Sequence, residues 1–148
     1  MLAISAVSYS KENSKGMRWF EAELKSPMWI AVRDAVSDAD KIEAIGYLGL
    51  LRCYEYQVHV LKDNGTWPQV LAEYGLDRVG KEHLLPLVAQ HADDKLLRLK
   101  DAFIVTPAGK FLAMPLHDEV VEGLKQWTQS GPPLLKKHTT CSCLQLAS

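Results

Sequence analysis

Leu71-Ala72-Glu73-Tyr74-Gly75-Leu76-Asp77 is the stretch on which the fold reading turns. It joins two segments with helical apolar spacing, Trp67–Tyr74 and a run from about Arg78 to His91 that carries Val79, Leu84, Leu87 and Val88 inward. Ala72 is small enough for the two helices to approach. Gly75 permits a sharp exit, and Leu76 plugs the junction. Thr66 stands as N-cap, with Gln69 three residues on and Pro68 in the first turn. Upstream, Asp40–Lys62 is apolar on two sides, as a central buried helix should be, and Asp63-Asn64-Gly65 closes it. Gly46 and Gly49 within it each cost about 1 kcal/mol of helix propensity, tolerable where another element packs closely. Downstream, Leu96–Leu99 and Phe103–Thr106, joined by Lys100-Asp101-Ala102, read as a β-hairpin with β-branched residues in the return strand. Long helix, capped short helix, tight turn, second short helix and hairpin make a winged helix-turn-helix. The expected class is mainly α with a small β-hairpin; the same string also fits an ordinary αα-hairpin in a helical domain.

Working outward, residues 1–16 are polar and weakly patterned, which suggests a loose arm, with Met17 a second plausible start. Arg18–Leu24 alternates in part and reads as a short strand. Ser26-Pro27 opens a short helix to about Val36, with Trp29, Val32, Arg33 and Val36 at helical spacing, and Asp38-Ala39-Asp40 restarts the chain into the long helix. Pro107-Ala108-Gly109 reads as a turn and Pro115–Trp127 as the last helix. The predicted organisation is an arm over 1–16, one domain over 17–128 and a flexible tail over 129–148, without internal repeats.

At 148 residues the chain can bury a core without disulfides, and 47% apolar with 24% charged residues is ordinary globular composition. Cys53, Cys141 and Cys143 are an odd set and form no disulfide framework, which fits a reducing compartment. No basic, apolar leader opens the sequence, and the longest central apolar run, Ala44–Leu51, is far below the ~20 residues a bilayer requires. A soluble, cytoplasmic protein with no membrane partner is expected. His59, His83, His91, His117 and His138 are scattered without metal-ligand spacing, and no nucleophile setting or phosphate loop is present. Neither metal, cofactor nor catalytic residues are therefore expected. Trp19, Trp29, Trp67 and Trp127 lie at apolar positions, so core anchoring is the default. A tryptophan left exposed would instead mark an interface.

The opening Met17-Arg18-Trp19-Phe20, the proline-started helix, the long helix ending in Asn64-Gly65, the Trp67–Leu76 stretch and the Leu96–Thr106 hairpin together resemble the N-terminal winged-helix domain of phage replisome organisers and related replication initiators. The resemblance covers Met17–Lys110 and rests on element order and apolar spacing. It implies binding of origin DNA or of helicase-loading partners. In that geometry Arg78 and Lys81 would approach the groove, and Lys95, Arg98 and Lys100 on the wing would hold phosphates.

Charge divides between the two parts of this candidate interface. Arg78 and Lys81 face Asp77, Glu82, Asp93 and Asp94, a net of −2 on the would-be recognition helix, and Pro86 should kink it. Lys95, Arg98, Lys100 and Lys110 face only Asp101, a net of +3 on the wing, with Lys136-Lys137-His138 in the tail as support. Two function classes follow: a DNA-binding module in phage- or plasmid-type replication or regulation, or a protein-interaction adaptor on the same scaffold. The expected partners are double-stranded DNA, a replication or regulatory protein, or a second copy of the chain.

Overall fold

The computed structural model describes residues 6–16 and 18–133. Met17 and the tail residues Lys136, Lys137, His138, Cys141 and Cys143 lie outside the described residues. Among the described residues every regular element is helical. They are α1 (Tyr9–Lys15), α2 (Glu21–Leu24), α3 (Pro27–Ala44), α4 (Gly46–Asp63), α5 (Trp67–Tyr74), α6 (a continuous run over 76–103) and α7 (Pro107–Ser130).

The β-hairpin, and with it the winged-helix architecture, is absent: the residues assigned to the wing continue α6. The reason is a stripe that runs through Asp93-Asp94. Leu85, Val88, Ala92, Leu96, Leu99 and Phe103 are all buried at spacings of three and four residues, so one helical face spans the supposed loop. The two aspartates sit on its solvent side. The run is not a uniform α-helix. Gly80–Leu84, Ala92–Leu96 and Leu99–Phe103 wind as π-turns, closed by hydrogen bonds such as Leu85 N–H to Gly80 O, Leu97 N–H to Ala92 O and Ile104 N–H to Leu99 O. The first of these wide turns precedes Pro86, which lacks an N–H and whose ring would press on the carbonyl four residues back in a straight α-helix. Pro86 is thus absorbed by widening the helix.

Three other expectations are corrected. Arg18–Leu24 is a turn leading into α2 rather than a strand, with Phe20 buried. α3 runs through Asp38-Ala39-Asp40 without restarting, because the Asp38 carboxylate is used elsewhere: it accepts the backbone N–H groups of Val105 (3.0 Å) and Thr106 (2.7 Å). α7 begins at Pro107 rather than Pro115, since the Thr106 hydroxyl accepts Gly109 N–H at 2.9 Å and Pro107 fits the first turn. Pro115 lies on the exposed side of α7.

α3 and α4 meet at a corner made by Ile45 and Gly46. Gly46 has φ +83°, which a residue with a Cβ adopts only under strain. The core is then built where α4 packs along α7. Leu50, Tyr54 and Val58 face Val120, Gly123 and Trp127, and α6 closes the third side with Val79, Leu84, Val88, Leu96 and Leu99. Trp127 is 2% exposed, with Tyr47 and Tyr54 edge-on to its ring at 6.0 and 5.6 Å. α5 does end at Gly75, φ +72°, as its sequence suggests. The Thr66 hydroxyl, however, turns back to Leu61 O rather than capping α5.

Residues 9–15, expected within a loose arm, form a helix that ties two others together. Ser8 caps it through Lys11 N–H. The Tyr9 hydroxyl donates to Asp94 O at 2.9 Å, and its ring packs 4.7 Å from that of Phe103 on α6. From the same helix Glu12 points into α3.

Candidate functional site

The five basic residues singled out by the sequence are not gathered into one strip. Arg78 and Lys100 are about 30 Å apart along α6 at the usual helical rise. Arg78 pairs with Glu82 at 3.5 Å, and Lys81 donates to Gln129 O at 3.1 Å, fastening α6 to the end of α7. Lys95 lies 5.3 Å over the Tyr9 ring. Arg98 donates to Asp94 O at 3.3 Å and sits 5.7 Å over Phe103, and Lys100 is 3.9 Å from Asp101. Each of the five has a local partner.

Lys95 also lines an open groove of about 550 Å³ between the end of α3, α4 and α6. Its walls carry both signs of charge, Asp40 and Glu43 against Arg52 and Lys95, with Cys53 and His91 among them. Burial pushes the Cys53 thiol up, an effect that Lys95 and Arg52 offset only in part. Burial also holds His91 below its ordinary value, Lys95 adding to this and Asp94 opposing it. At neutral pH the groove therefore carries a protonated thiol and a neutral imidazole in its walls, not an activated thiolate. Among the described residues, no three of His, Cys, Asp and Glu are grouped to hold a metal ion. No described helix is long and apolar enough to cross a membrane.

The depressed His91 gives a pH dependence with a defined sign. The unfolded chain takes up a proton near pH 6.5 that the folded chain resists, so stability is retained above that pH and lost as pH falls below it, through the folded value. In thermal scans, His91→Gln should lose less stability than the parent between about pH 7 and pH 5.5. Parallel acid curves for the two proteins would contradict this.

A more unusual arrangement lies across α3, whose two faces are reversed relative to the core. Its inward side is polar. Arg33, Ser37, Asp38 and Lys41 are all buried. The Arg33 guanidinium donates to Ala6 O (2.9 and 3.2 Å) and to Glu12 Oε1, and it stacks 4.0 Å from the Phe20 ring centre. Lys41 Nζ stands 2.6 Å from Glu12 Oε2 and also reaches the Ser37 hydroxyl. Glu12 is thus enclosed by two cations from α3, and the charges are removed from water together.

The outward side is apolar. Met28, Trp29, Val32 and Val36 are 64%, 50%, 44% and 50% exposed, and Ala31, Ala35 and Ala39 fill the positions between them, also exposed. α7 also exposes the apolar side chains of Phe111, Leu112 and Met114. The sequence reading sets Trp29 among the core tryptophans; it is on the surface instead, while Trp127 is buried in the core and Trp67 packs against it. A signal for this was available. Arg33, Ser37 and Lys41 recur at four-residue spacing, a polar stripe as regular as the apolar one, but nothing local reveals that Glu12 covers it.

Comparison of the chain with protein-family models, with curated proteins and with solved structures finds no match, so the site is read from its own geometry.

Proposed function

We propose that this chain is a helical protein-interaction module whose docking face is the outer side of α3. The observation that carries the reading is the orientation of that helix: its charged residues are turned inward to Glu12 while Met28, Trp29, Val32 and Val36 are left in water. Fully burying a side chain of this kind is worth about 1.5–3 kcal/mol, so a partner covering the stripe gains what the isolated fold forgoes. Exposed tryptophan and methionine are also the residue types enriched at the centres of protein interfaces. A nucleic-acid role has less support. The wing that was to carry it is helical, and Arg78, Lys81, Lys95, Arg98 and Lys100 each engage a neighbour, on α6 itself or on α1 and α7 beside it.

The test is photocrosslinking in native extract, with a benzophenone side chain at position 32 and, as control, at position 122 on α7. Position 32 should give a discrete adduct that disappears when Trp29→Glu is added, while position 122 gives none. Trp29→Glu should leave the thermal midpoint within a few degrees, since surface substitutions usually change stability by about 0.5 kcal/mol or less. Adducts only at position 122, or unfolding by Trp29→Glu, would refute the assignment.

A further inference from the structure

We propose that the occupant of this face is a second copy of the same chain, its α3 packed antiparallel against the first about a twofold axis. The inference rests on the docking-face reading above and adds the partner's identity and orientation. The outward stripe Met28, Val32, Ala35, Ala39 advances by four, three and four residues, the 3.5-residue repeat of a helix–helix seam. It is also self-complementary. When the twofold axis passes midway between residues 33 and 34, Met28 faces the partner's Ala39 and Val32 faces the partner's Ala35, while Trp29 and Val36 lie together on one flank of the seam. Along the seam each large side chain then meets an alanine, and Trp29 and Val36 cover its edge. That alternation fills the space between two helices without voids and lets their axes come within about 8–10 Å. A parallel pairing in register would set Met28 on Met28 and alanine on alanine, leaving bulges and gaps.

Charge selects the same orientation. Lys25 is exposed just before α3, and Asp40 and Glu43 are exposed near its other end. None of the three forms an ion pair among the described residues, although Asp40 and Glu43 share the rim of the groove with Arg52. Antiparallel packing brings Lys25 of each copy to the acidic end of the other, twice by symmetry, whereas parallel packing sets like charge against like. The helix is about 27 Å long at the usual rise, enough for the four layers of the stripe.

Sedimentation of the full chain from about 1 to about 200 µM tests this, since an interface of one helix pair falls in the micromolar range. The expected result is a reversible dimer. Val32→Glu should raise its dissociation constant roughly 100-fold by burying two like charges without partners. Lys25→Glu should raise it about 10-fold at low salt, and adding Asp40→Lys with Glu43→Lys should restore it. In a background without Cys53, Cys141 and Cys143, Met28→Cys with Ala39→Cys should oxidise to a covalent dimer, while Met28→Cys alone should not. A chain monomeric throughout the range overturns the self-association, and a position-32 adduct to a different protein would then leave the docking face standing. A dimer indifferent to Val32→Glu overturns the proposal by placing its contact elsewhere.

Discussion

Replacing Arg33 with leucine is expected to lower the unfolding free energy by about 3–5 kcal/mol, the usual cost of removing one partner from a buried ion pair. Asp34 keeps Arg18 when its 3.2 Å pair with Arg33 is removed, and the rest of the loss has three parts, each visible around the side chain. Glu12, itself buried, keeps Lys41 at 2.6 Å but loses its second cation. Ala6 O loses the two guanidinium donors it accepts. Phe20, also buried, loses the planar group stacked on it. At the size of this domain the change corresponds to a fall of roughly 10 °C in thermal midpoint. A companion variant separates charge stranding from simple loss of packing. Glu12→Leu combined with Arg33→Leu and Lys41→Met replaces the whole group with apolar side chains and should recover more than half of the loss, because no charge is left stranded. If the triple variant were less stable than Arg33→Leu alone, the stranded-charge account would fail.

The second large effect is at Trp127. Trp127→Ala should cost about 3–5 kcal/mol, since the indole is enclosed and its removal opens a cavity between α4, α6 and α7 that Gly123 cannot help to fill. Trp127→Phe, which keeps an aromatic ring between Tyr47 and Tyr54, should cost about 1–2 kcal/mol. Urea unfolding at 25 °C reads both: the midpoint should move while the slope stays fixed, because the surface exposed on unfolding barely changes. Equal costs for the two variants would mean that the ring contacts contribute little.

Much of the helical architecture could be read along the chain, and the failures have physical causes. α5 and its stop at Gly75 follow from local chemistry, as does the exit from α4 through Asn64 and Gly65, whose φ is +69°. The hairpin expectation fails because Leu96–Leu99 and Phe103–Thr106 are apolar runs too short to show their own period, and Asp93-Asp94 resembles a break. Extending the window back to Leu85 reveals the helical stripe. π-turns disturb that stripe further, since each inserts a residue into the winding. Asp38 resembles a cap for its own helix, yet it binds backbone 67 residues further along, a contact no local pattern encodes. The candidate face was illegible for the same reason. An apolar stripe on α3 is conventionally assigned to the core, and only the docking of Glu12 onto Arg33 and Lys41 turns it outward.

That reversal of α3 is the claim on which the functional reading stands, and thiol labelling measures it directly. With Cys53, Cys141 and Cys143 replaced by serine, single cysteines are placed at Val32, Val36 and Ser37 and reacted with a maleimide in dilute protein. Positions 32 and 36 should label at rates near those of a free thiol, and position 37 should be slowed at least about 100-fold by burial. Fast labelling at 37 with protection at 32 and 36 would show α3 turned the other way, with its apolar stripe in the core and no docking face to explain.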